Sequence, residues 1–168
     1  MAEGKLIVFE GLDGSGLTTQ AEELRKFLVR EQIEVHLTKE PSDGPVGAMI
    51  KLALAKRLVY QRPNGAEALG DATLALMFAA DRVDHLENDV NPQLAKGVNV
   101  ICDRYYLSSL AYQSLSVDSD WIRDINRKCR RPDLTLFLNV PAEICKKRME
   151  RLRWHVEHRQ LSPAPRPW

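Results

Sequence analysis

The sequence predicts an α/β fold in which helices cover both faces of a parallel sheet. Short apolar runs alternate with longer segments of helical periodicity, and this alternation is typical of parallel sheets. The short runs are continuously apolar, which indicates strands that are buried on both faces. The chain has 168 residues, of which 44% are hydrophobic, so we expect a single domain with a sizeable core.

Four short runs are the strand candidates, and helix candidates lie between them. The predicted strands span residues 5–10, 34–39, 99–102 and 134–140. The predicted helices span residues 18–31, 46–58, 67–90, 92–97, 118–129 and 141–149. Pro41 and the run Arg62-Pro63-Asn64-Gly65 interrupt the chain, and we expect loops there. Asp118 or Ser119 is the expected N-cap of the fifth helix.

Composition restricts the kinds of partner. The 24 basic and 23 acidic residues give a net charge of +1, which argues against bulk nucleic-acid binding. The three cysteines include no Cys-x-x-Cys pair, which argues against a disulfide framework or a zinc site. No apolar stretch approaches the length of a membrane span. We therefore expect a cytoplasmic protein with free thiols, binding neither nucleic acid nor membrane.

A glycine-rich loop follows the first strand and precedes the first helix. Its residues are Gly11, Leu12, Asp13, Gly14, Ser15, Gly16, Leu17, Thr18 and Thr19. The glycines let the backbone aim its N–H groups at phosphate oxygens, and the helix adds its positive dipole end. Thr18 offers a hydroxyl to Mg²⁺. This context fits the pattern G-x-x-x-x-G-K-[ST] and predicts a three-layer P-loop NTPase fold; the alternative is a tight turn with no ligand.

Leu17 departs from this pattern because it occupies the lysine position. An aliphatic side chain cannot bridge the β- and γ-phosphates. Losing one such donor without compensation costs about 10²–10³ in rate. Phosphate binding suffers less, because backbone amides and Mg²⁺ remain.

Polar residues directly follow the third strand. Asp103, Arg104 and Tyr105 should lie on the same rim as Gly11 and Lys39, because ligands bind outside the carboxyl ends of parallel strands. An arginine there can hold a phosphate through two hydrogen bonds, and a carboxylate can hold Mg²⁺ through water. The alternative is a surface salt bridge at a strand end.

Phe78 and Arg82 are four residues apart on the long predicted helix and share one face. An aromatic ring that stacks and a guanidinium that donates to a carbonyl together suit a nucleobase. The alternative is that Phe78 belongs to the core and Arg82 is a solvated charge.

These segments together resemble the thymidylate kinase family in order and spacing. The matching segments are residues 9–20 (FEGLDGSGLTTQ), 39–41 (KEP), 76–82 (LMFAADR), 103–113 (DRYYLSSLAYQ) and 131–138 (RPDLTLFL). The resemblance extends from residue 5 to about residue 151. It implies the reaction ATP + dTMP → ADP + dTDP with Mg²⁺, by direct in-line transfer in a homodimeric enzyme.

The resemblance also implies site residues. Phe78 would stack on thymine, Arg82 would bond its carbonyl, and Asp13 would bind the 3′-hydroxyl. Arg104 would hold the dTMP phosphate, and Asp103 would help place that phosphate or the metal.

Further implied contacts surround the sugar, the base and the phosphates. Tyr105 and Tyr112 would pack against the sugar and disfavour a 2′-hydroxyl. Ser109 and Gln113 would face the base. Lys39 lies where the family often has a basic residue near the phosphates.

The match departs from the family in the lid as well. The family places a catalytic arginine in the P-loop or in the lid, and Gly14 and Ser15 supply none. We expect the lid, residues 146–160, to supply it, with Arg151 and Arg153 as the leading candidates beside Arg148 and Arg159. The alternative for this basic run is an exposed helix face.

The predicted domain spans residues 1–160 and is followed by a proline-rich tail, residues 161–168. Compared with the family, the fold is expected to be shortened at its C-terminal end, with an unpaired strand edge or an open adenine site.

Two alternative functions remain beside an active or impaired dTMP kinase. Leu17 favours a nucleotide-binding pseudoenzyme of the same fold. A kinase of another nucleotide, such as dUMP or a deoxynucleoside, would use the same phosphate loop, although Phe78, Arg82 and Tyr105 favour dTMP.

Overall fold

A computed structural model describes the backbone of residues 2–159 and the side chains of residues 2–151. In chain order the elements are β1 (Leu6–Gly11), α1 (Leu17–Arg30), β2 (Val35–Lys39), α2 (Pro45–Leu54), β3 (Val59–Arg62), β4 (Gly65–Ala68), α3 (Asp71–His85), a π-helical turn (Leu86–Val90), α4 (Asn91–Ala95), β5 (Asn99–Asp103), α5 (Tyr106–Gln113), α6 (Ser119–Ile125), β6 (Leu134–Leu138) and α7 (Ala142–Arg159). The predicted tail, residues 161–168, lies outside the described residues.

The central sheet confirms the four predicted strands. Its order is β2-β5-β1-β6, and every neighbouring pair is parallel. Phe9 of β1 and Lys39 of β2 both lie opposite Asp103 of β5. Because the carboxyl ends of parallel strands meet at one rim, Gly11, Lys39 and Asp103 come together there.

Helices cover both faces of the sheet, as predicted. Successive β1 side chains point to opposite faces, so Leu6 and Val8 join one apolar cluster and Phe9 joins the other. The first cluster is closed by the π-helical turn and α4, and the second is closed by α1. The phosphate loop therefore connects a buried strand to a helix packed directly on the sheet.

The edge strand β6 departs from the expectation of buried strands. Within the described residues it pairs only with β1. Phe137 is 64% exposed and Leu134 is 48% exposed, because the sheet ends there. An unpaired strand edge was the expectation drawn from the shortened resemblance, and β6 presents one.

A β-hairpin occupies the segment where the sequence predicts a break between two helices. The strands β3 and β4 pair antiparallel around Pro63 and Asn64, with Arg62 opposite Gly65. The predicted helix start at Glu67 is therefore wrong, because Glu67 pairs with Tyr60 and α3 begins at Asp71. Tertiary pairing outweighs the helical periodicity of these four residues.

Two further helices differ from the prediction. The sequence places the fifth helix through Cys129, but α6 ends at Ile125. Asp118 is its N-cap, as predicted, and its carboxylate accepts a hydrogen bond of 2.8 Å from the Trp121 N–H. The second difference is α5, because the sequence predicts no helix in the segment of the acceptor residues. Among the described residues, no helix is both long and apolar enough to cross a bilayer.

Candidate active site

The phosphate loop adopts a conformation that requires glycine. Gly14 has φ of +80° and Gly16 has φ of +102°, values that side-chain-bearing residues rarely adopt. A Cβ atom on Gly14 would lie 2.6 Å from the Cys145 carbonyl oxygen of α7. Position 14 therefore has no room for an arginine, which agrees with the expectation that the loop supplies none.

The Leu17 side chain packs into the protein interior. It is 4% exposed and lies in the apolar cluster of Phe9, Ala21 and Ile101. As the first residue of α1, it presents its backbone to the loop and its side chain to the sheet. Residue 17 thus contributes packing and no positive charge.

A cavity of about 350 Å³ lies above the loop and is called the donor cavity here. Its lining residues are Leu12, Asp13, Gly14, Gly16, Leu17, Thr18, Thr19, Lys39, Glu40, Asp103 and Arg104. The Thr18 hydroxyl donates to Asp103 Oδ2 at 2.5 Å, so the two predicted metal ligands are adjacent. The Ser15 hydroxyl is buried and has no hydrogen-bond partner, and Gly11 borders it.

A larger cavity of about 440 Å³ adjoins the first and is called the acceptor cavity here. Its lining includes all eight residues predicted for dTMP, namely Asp13, Phe78, Arg82, Arg104, Tyr105, Ser109, Tyr112 and Gln113. The two cavities share Asp13, Glu40 and Arg104. A molecule in one cavity and a molecule in the other would therefore meet at these three side chains.

Arg82 lies at the wall of the acceptor cavity and is 1% exposed, so it is not a solvated charge. Its Nε donates to Glu40 Oε2 at 2.9 Å, and its Nη2 is 2.7 Å from the same oxygen. Nη2 also donates to Ser109 Oγ at 2.9 Å, and Nη1 donates to Asn126 Oδ1. Four of its five N–H groups are therefore engaged by Glu40, Ser109 and Asn126.

Asn126 and Glu40 were missed as site residues by sequence reasoning. Asn126 is buried at the end of α6, and its amide donates to the Ile122 carbonyl at 2.8 Å, which orients the side-chain oxygen toward Arg82. Glu40 was recognised only as part of the segment 39–41. A buried partner for a buried arginine is required physically, but its position in the sequence cannot be read from periodicity.

Gln113 lines the acceptor cavity and carries a side-chain oxygen that forms no hydrogen bond within the described residues. This Oε1 atom is buried. Buried polar atoms are nearly always satisfied in native proteins. This atom is therefore suited to accept a hydrogen bond from a ligand.

Arg104 is held in an unusual backbone conformation with φ of +72°. Its Nη1 donates to the Gly11 carbonyl at 3.0 Å and to Ser108 Oγ at 3.1 Å, and its Nη2 donates to Asp13 Oδ1 at 2.5 Å. The guanidinium lies 5.7 Å from the centre of the Tyr112 ring. Left-handed backbone at a side-chain-bearing residue is costly, and such residues cluster at functional sites.

The residue that anchors the start of α5 is Glu10, which sequence reasoning did not single out. Its Oε1 accepts hydrogen bonds from the Tyr105 N–H at 3.1 Å and the Ser108 N–H at 3.2 Å, and its Oε2 accepts from Ser108 Oγ at 2.6 Å. Burial raises the pKa of Glu10, and the hydrogen bonds from Ser108 and Tyr105 oppose that rise only in part. A carboxylate from β1 therefore caps α5 across the sheet.

Tyr105 is 1% exposed and lies beneath Arg82, with the guanidinium 5.3 Å from its ring centre. Its hydroxyl donates to the Arg130 carbonyl at 3.0 Å. Burial raises the pKa of this phenol. Tyr105 therefore supports the cavity wall, whereas Tyr112 is 42% exposed at the cavity surface.

The predicted lid residues divide into two groups. Arg148 donates to the carbonyl oxygens of Gly14 at 3.3 Å and Ser15 at 3.1 Å. Arg151 is exposed. The side chains of Arg153 and Arg159 lie outside the described residues.

Glu40, His85 and Cys102 form a second cluster of metal-ligand type, with their ligand atoms within 4.8 Å of one another. Glu40 is already paired with Arg82, and the Cys102 thiol donates to the Arg104 carbonyl at 3.0 Å. Burial raises the pKa of Cys102 well above its ordinary value, so the thiol form is favoured. The cluster is accounted for by hydrogen bonding and fits no metal ion.

Comparison with known proteins identifies the family. A family model described as thymidylate kinase matches residues 9–162. The chain belongs to the thymidylate kinase family. Among its relatives, it is 42% identical to a probable thymidylate kinase of Pyrococcus horikoshii over 141 residues, which cover 83% of this chain and 67% of the relative. It is 40% identical to a probable thymidylate kinase of Methanocaldococcus jannaschii over 151 residues, which cover 89% of this chain and 72% of the relative.

A solved structure supports the same family assignment. The crystal structure of thymidylate kinase from Ehrlichia chaffeensis matches with a TM-score of 0.71 at 28% identity, covering 94% of this chain and 88% of that chain. The thymidylate kinase fold is thus shared.

Proposed function

We propose that the chain transfers the γ-phosphoryl group of ATP to dTMP, giving ADP and dTDP. Membership of the thymidylate kinase family supports this reaction. The observation that carries it is the pair of adjoining cavities that meet at Asp13, Glu40 and Arg104. One cavity contains the phosphate loop, and the other contains an aromatic ring, a buried guanidinium and an unused amide oxygen.

The acceptor cavity complements a thymine base. Thymine offers one N–H donor between two carbonyl acceptors. The unpartnered Oε1 of Gln113 would accept from that N–H, and the remaining Nη1 proton of Arg82 would donate to a carbonyl. Phe78 supplies a ring for stacking, and Ser109 holds Arg82 in place. Cytosine presents an acceptor at the equivalent ring nitrogen and would leave the Gln113 oxygen unsatisfied.

The sugar and phosphate of dTMP would lie nearer the shared side chains. Arg104 would hold the phosphate through its guanidinium, releasing part of its bonding to Asp13. Asp13 would then accept from the 3′-hydroxyl. Tyr112 would pack against the sugar, with Tyr105 supporting the wall behind it.

The donor cavity would hold the phosphates of ATP. Loop amides and the start of α1 would donate to phosphate oxygens. Thr18 and Asp103 supply adjacent hydroxyl and carboxylate oxygens, the hard donors that Mg²⁺ prefers, so they fit this ion. When bound, Mg²⁺ would neutralise charge on the β- and γ-phosphates.

The chain's contribution to the transfer is mainly alignment. A phosphate oxygen of dTMP forms a bond to the γ-phosphorus as the bond from that phosphorus to the β,γ-bridging oxygen breaks, and ADP leaves with the electron pair. Arg104 faces the acceptor phosphate, Lys39 faces the donor cavity, and Asp103 holds the Thr18 hydroxyl between them. Arg151 and Arg153 remain the proposed lid arginines. We retain Arg148 as a brace of the loop, because it already donates to loop carbonyls.

The proposed homodimer would form through α2 and α3. These helices pack on each other and expose apolar side chains: Met49 (49% exposed) and Leu52 (43%) on α2, with Leu76 (50%) and Val83 (42%) on α3. Several exposed apolar side chains on two packed helices are typical of an interface. Sedimentation analysis tests it, and Leu76→Glu should shift the chain to monomer.

The proposed cytoplasmic location follows from the substrates and from the three free cysteines, which suit a reducing compartment.

A coupled assay of ADP release tests the proposed reaction. Purified protein with ATP and Mg²⁺ should release ADP only when dTMP is added, and dCMP should not replace it. Calorimetric binding of ATP or dTMP without dTMP-dependent turnover at high enzyme concentration would instead support a nucleotide-binding pseudoenzyme, which the apolar Leu17 favours. Faster turnover with dUMP or thymidine than with dTMP would identify a kinase of another substrate.

A further inference from the structure

The donor cavity lacks the lysine that the phosphate-loop pattern places at position 17. We propose that Lys39, at the end of β2, is the cation that replaces it. The inference rests on the proposed function, because it assigns a role at the same site. It places the replacement charge on the sheet rather than on α7, which carries the candidate lid arginines.

The Leu17 side chain cannot be rearranged to serve the phosphates without loss of packing. It is 4% exposed in the cluster with Phe9, Ala21 and Ile101, which connects α1 to the sheet. The missing charge must therefore come from another element that reaches the donor cavity.

Other cations near this cavity are already engaged. Arg104 donates to Asp13 and to the Gly11 carbonyl, and it lies between the two cavities, where an acceptor phosphate would claim it. Arg148 is occupied by the carbonyls of Gly14 and Ser15, to which it donates. Neither guanidinium is left for the donor phosphates among the described side chains.

Lys39 is placed and restrained as a replacement cation requires. It lies opposite Asp103 in the sheet and lines the donor cavity together with Leu17 and Thr18. Its side chain is 55% exposed, and its ion pair with Asp43 is long, at 3.9 Å. Lysine has a compact charge on a flexible stem, so its ammonium can move from this weak contact to a phosphate oxygen.

Asp43 does not depend on Lys39. Lys51 of α2 donates to Asp43 Oδ1 at 2.6 Å and to the Ser42 carbonyl at 2.7 Å. The hydrogen bond from Lys51 is the main cause that lowers the pKa of Asp43, and the charge of Lys39 adds to it. Lys39 can therefore leave Asp43 while Lys51 continues to hold the loop after β2.

The first experiment compares three variants in the dTMP-dependent ADP-release assay. Lys39→Met removes the charge at similar length and should lower kcat by about 10²–10³, the cost of one phosphate donor. Lys39→Arg keeps the charge and should retain activity within about tenfold of the unmodified chain. Lys51→Met is the matched control, because it removes the closer partner of Asp43; we expect about a threefold change or less.

The second experiment restores the lysine of the pattern. Because Leu17 packs in the core, Leu17→Lys is first checked for an unchanged circular dichroism spectrum. The folded variant should raise kcat at least about tenfold in the Lys39→Met background and by less in the unmodified chain, because one cation would then duplicate the other. If Leu17→Lys does not fold, the comparison of Lys39→Met with Lys51→Met decides the proposal. Equal gains in both backgrounds would overturn the proposal. So would a Lys39→Met variant as active as Lys51→Met, or a Lys51→Met variant as impaired as Lys39→Met.

A binding measurement separates this proposal from the kinase reaction. Calorimetric titration with ATP and Mg²⁺ should show affinity at least about fivefold weaker in Lys39→Met than in Lys51→Met, because one charge-assisted contact is lost. If this difference appears without dTMP-dependent turnover, the cation assignment holds and the kinase function fails. If turnover exists but both variants bind and react alike, the function holds and the assignment fails. Absence of ATP binding by the unmodified chain overturns both.

Discussion

Removing the charge of Glu40 should destabilise the whole domain. Glu40 and Arg82 are almost completely buried, with side-chain exposures of 3% and 1%, and are joined at 2.7 Å and 2.9 Å. Glu40→Gln keeps the shape but leaves the guanidinium charged and uncompensated. Breaking a buried ion pair from one side costs about 3–5 kcal/mol.

The lower end of that range applies to this site. A glutamine oxygen can still accept one hydrogen bond from Arg82, which preserves about 1 kcal/mol, and the contacts from Arg82 to Ser109 and Asn126 remain. We therefore expect a loss of about 3 kcal/mol. Total stabilities of domains are about 5–15 kcal/mol, so the change should be large but measurable.

Urea unfolding monitored by tryptophan fluorescence and far-ultraviolet circular dichroism provides the assay. The midpoint should fall while the slope stays the same, because the surface exposed on unfolding does not change. Glu67→Gln is the matched control: its pair with Arg62 at 3.2 Å is more than half exposed, and its loss should cost less than about 1 kcal/mol.

A double variant isolates the interaction. Replacing Arg82 by methionine in the Glu40→Gln background removes the unpaired charge and should cost less than the two single changes added together. A Glu40→Gln variant with an unfolding free energy within about 1 kcal/mol of the unmodified chain, or simple additivity of the two single effects, would contradict a coupled buried ion pair.

Three further predictions concern other buried or restrained groups. Burial lowers the pKa of His85, but its hydrogen bond to Glu40 and nearby negative charges outweigh this effect and raise the pKa overall. Protonated His85 therefore stabilises the fold fully below about pH 6.5, and this stabilisation is lost as the pH rises through the pKa of the folded state. His85→Gln should flatten the pH dependence of the unfolding free energy over that range. Glu10→Ala should lower the free energy of urea unfolding by about 1–3 kcal/mol, because the N–H groups of Tyr105 and Ser108 would lose their acceptor. An unchanged urea midpoint would exclude the capping role. Gly14→Ala should lower the melting temperature and weaken ATP binding, because the added Cβ would collide with the Cys145 carbonyl of α7. Gly70→Ala is the control and should do neither, because a Cβ there meets no atom within 4 Å. Equal effects of the two variants would contradict the close approach of α7 to the loop.

The sequence was informative wherever function depends on the ends of strands. Parallel strands bring their carboxyl ends to one rim, so the positions of Gly11, Lys39 and Asp103 could be predicted from the strand assignment alone. The eight residues taken from the family resemblance all line one cavity for the same reason, because family motifs lie at strand ends and on the helix faces toward them. Their roles toward dTMP remain proposals.

Sequence reasoning was less informative about which partner satisfies each buried polar group. Glu10 caps the start of α5 through residues up to 98 positions away, and Arg82 reaches Asn126 across 44 positions. Neither distance has a periodicity that a pattern could reveal. The hairpin of β3 and β4 was missed for a similar reason, since four-residue strands carry too few residues to distinguish alternation from a helical repeat.

The α/β architecture, the phosphate loop and the leucine in its lysine position could all be predicted before the structure was known, because they depend on local periodicity and residue identity. Packing in three dimensions was needed to show that the Leu17 side chain belongs to the core and that Arg82 is bound to buried partners. It was also needed to show that Lys39 lines the donor cavity with only a weak ion pair. Whether a charge is available to a ligand depends on which other groups surround it in space, and chain order does not specify those neighbours.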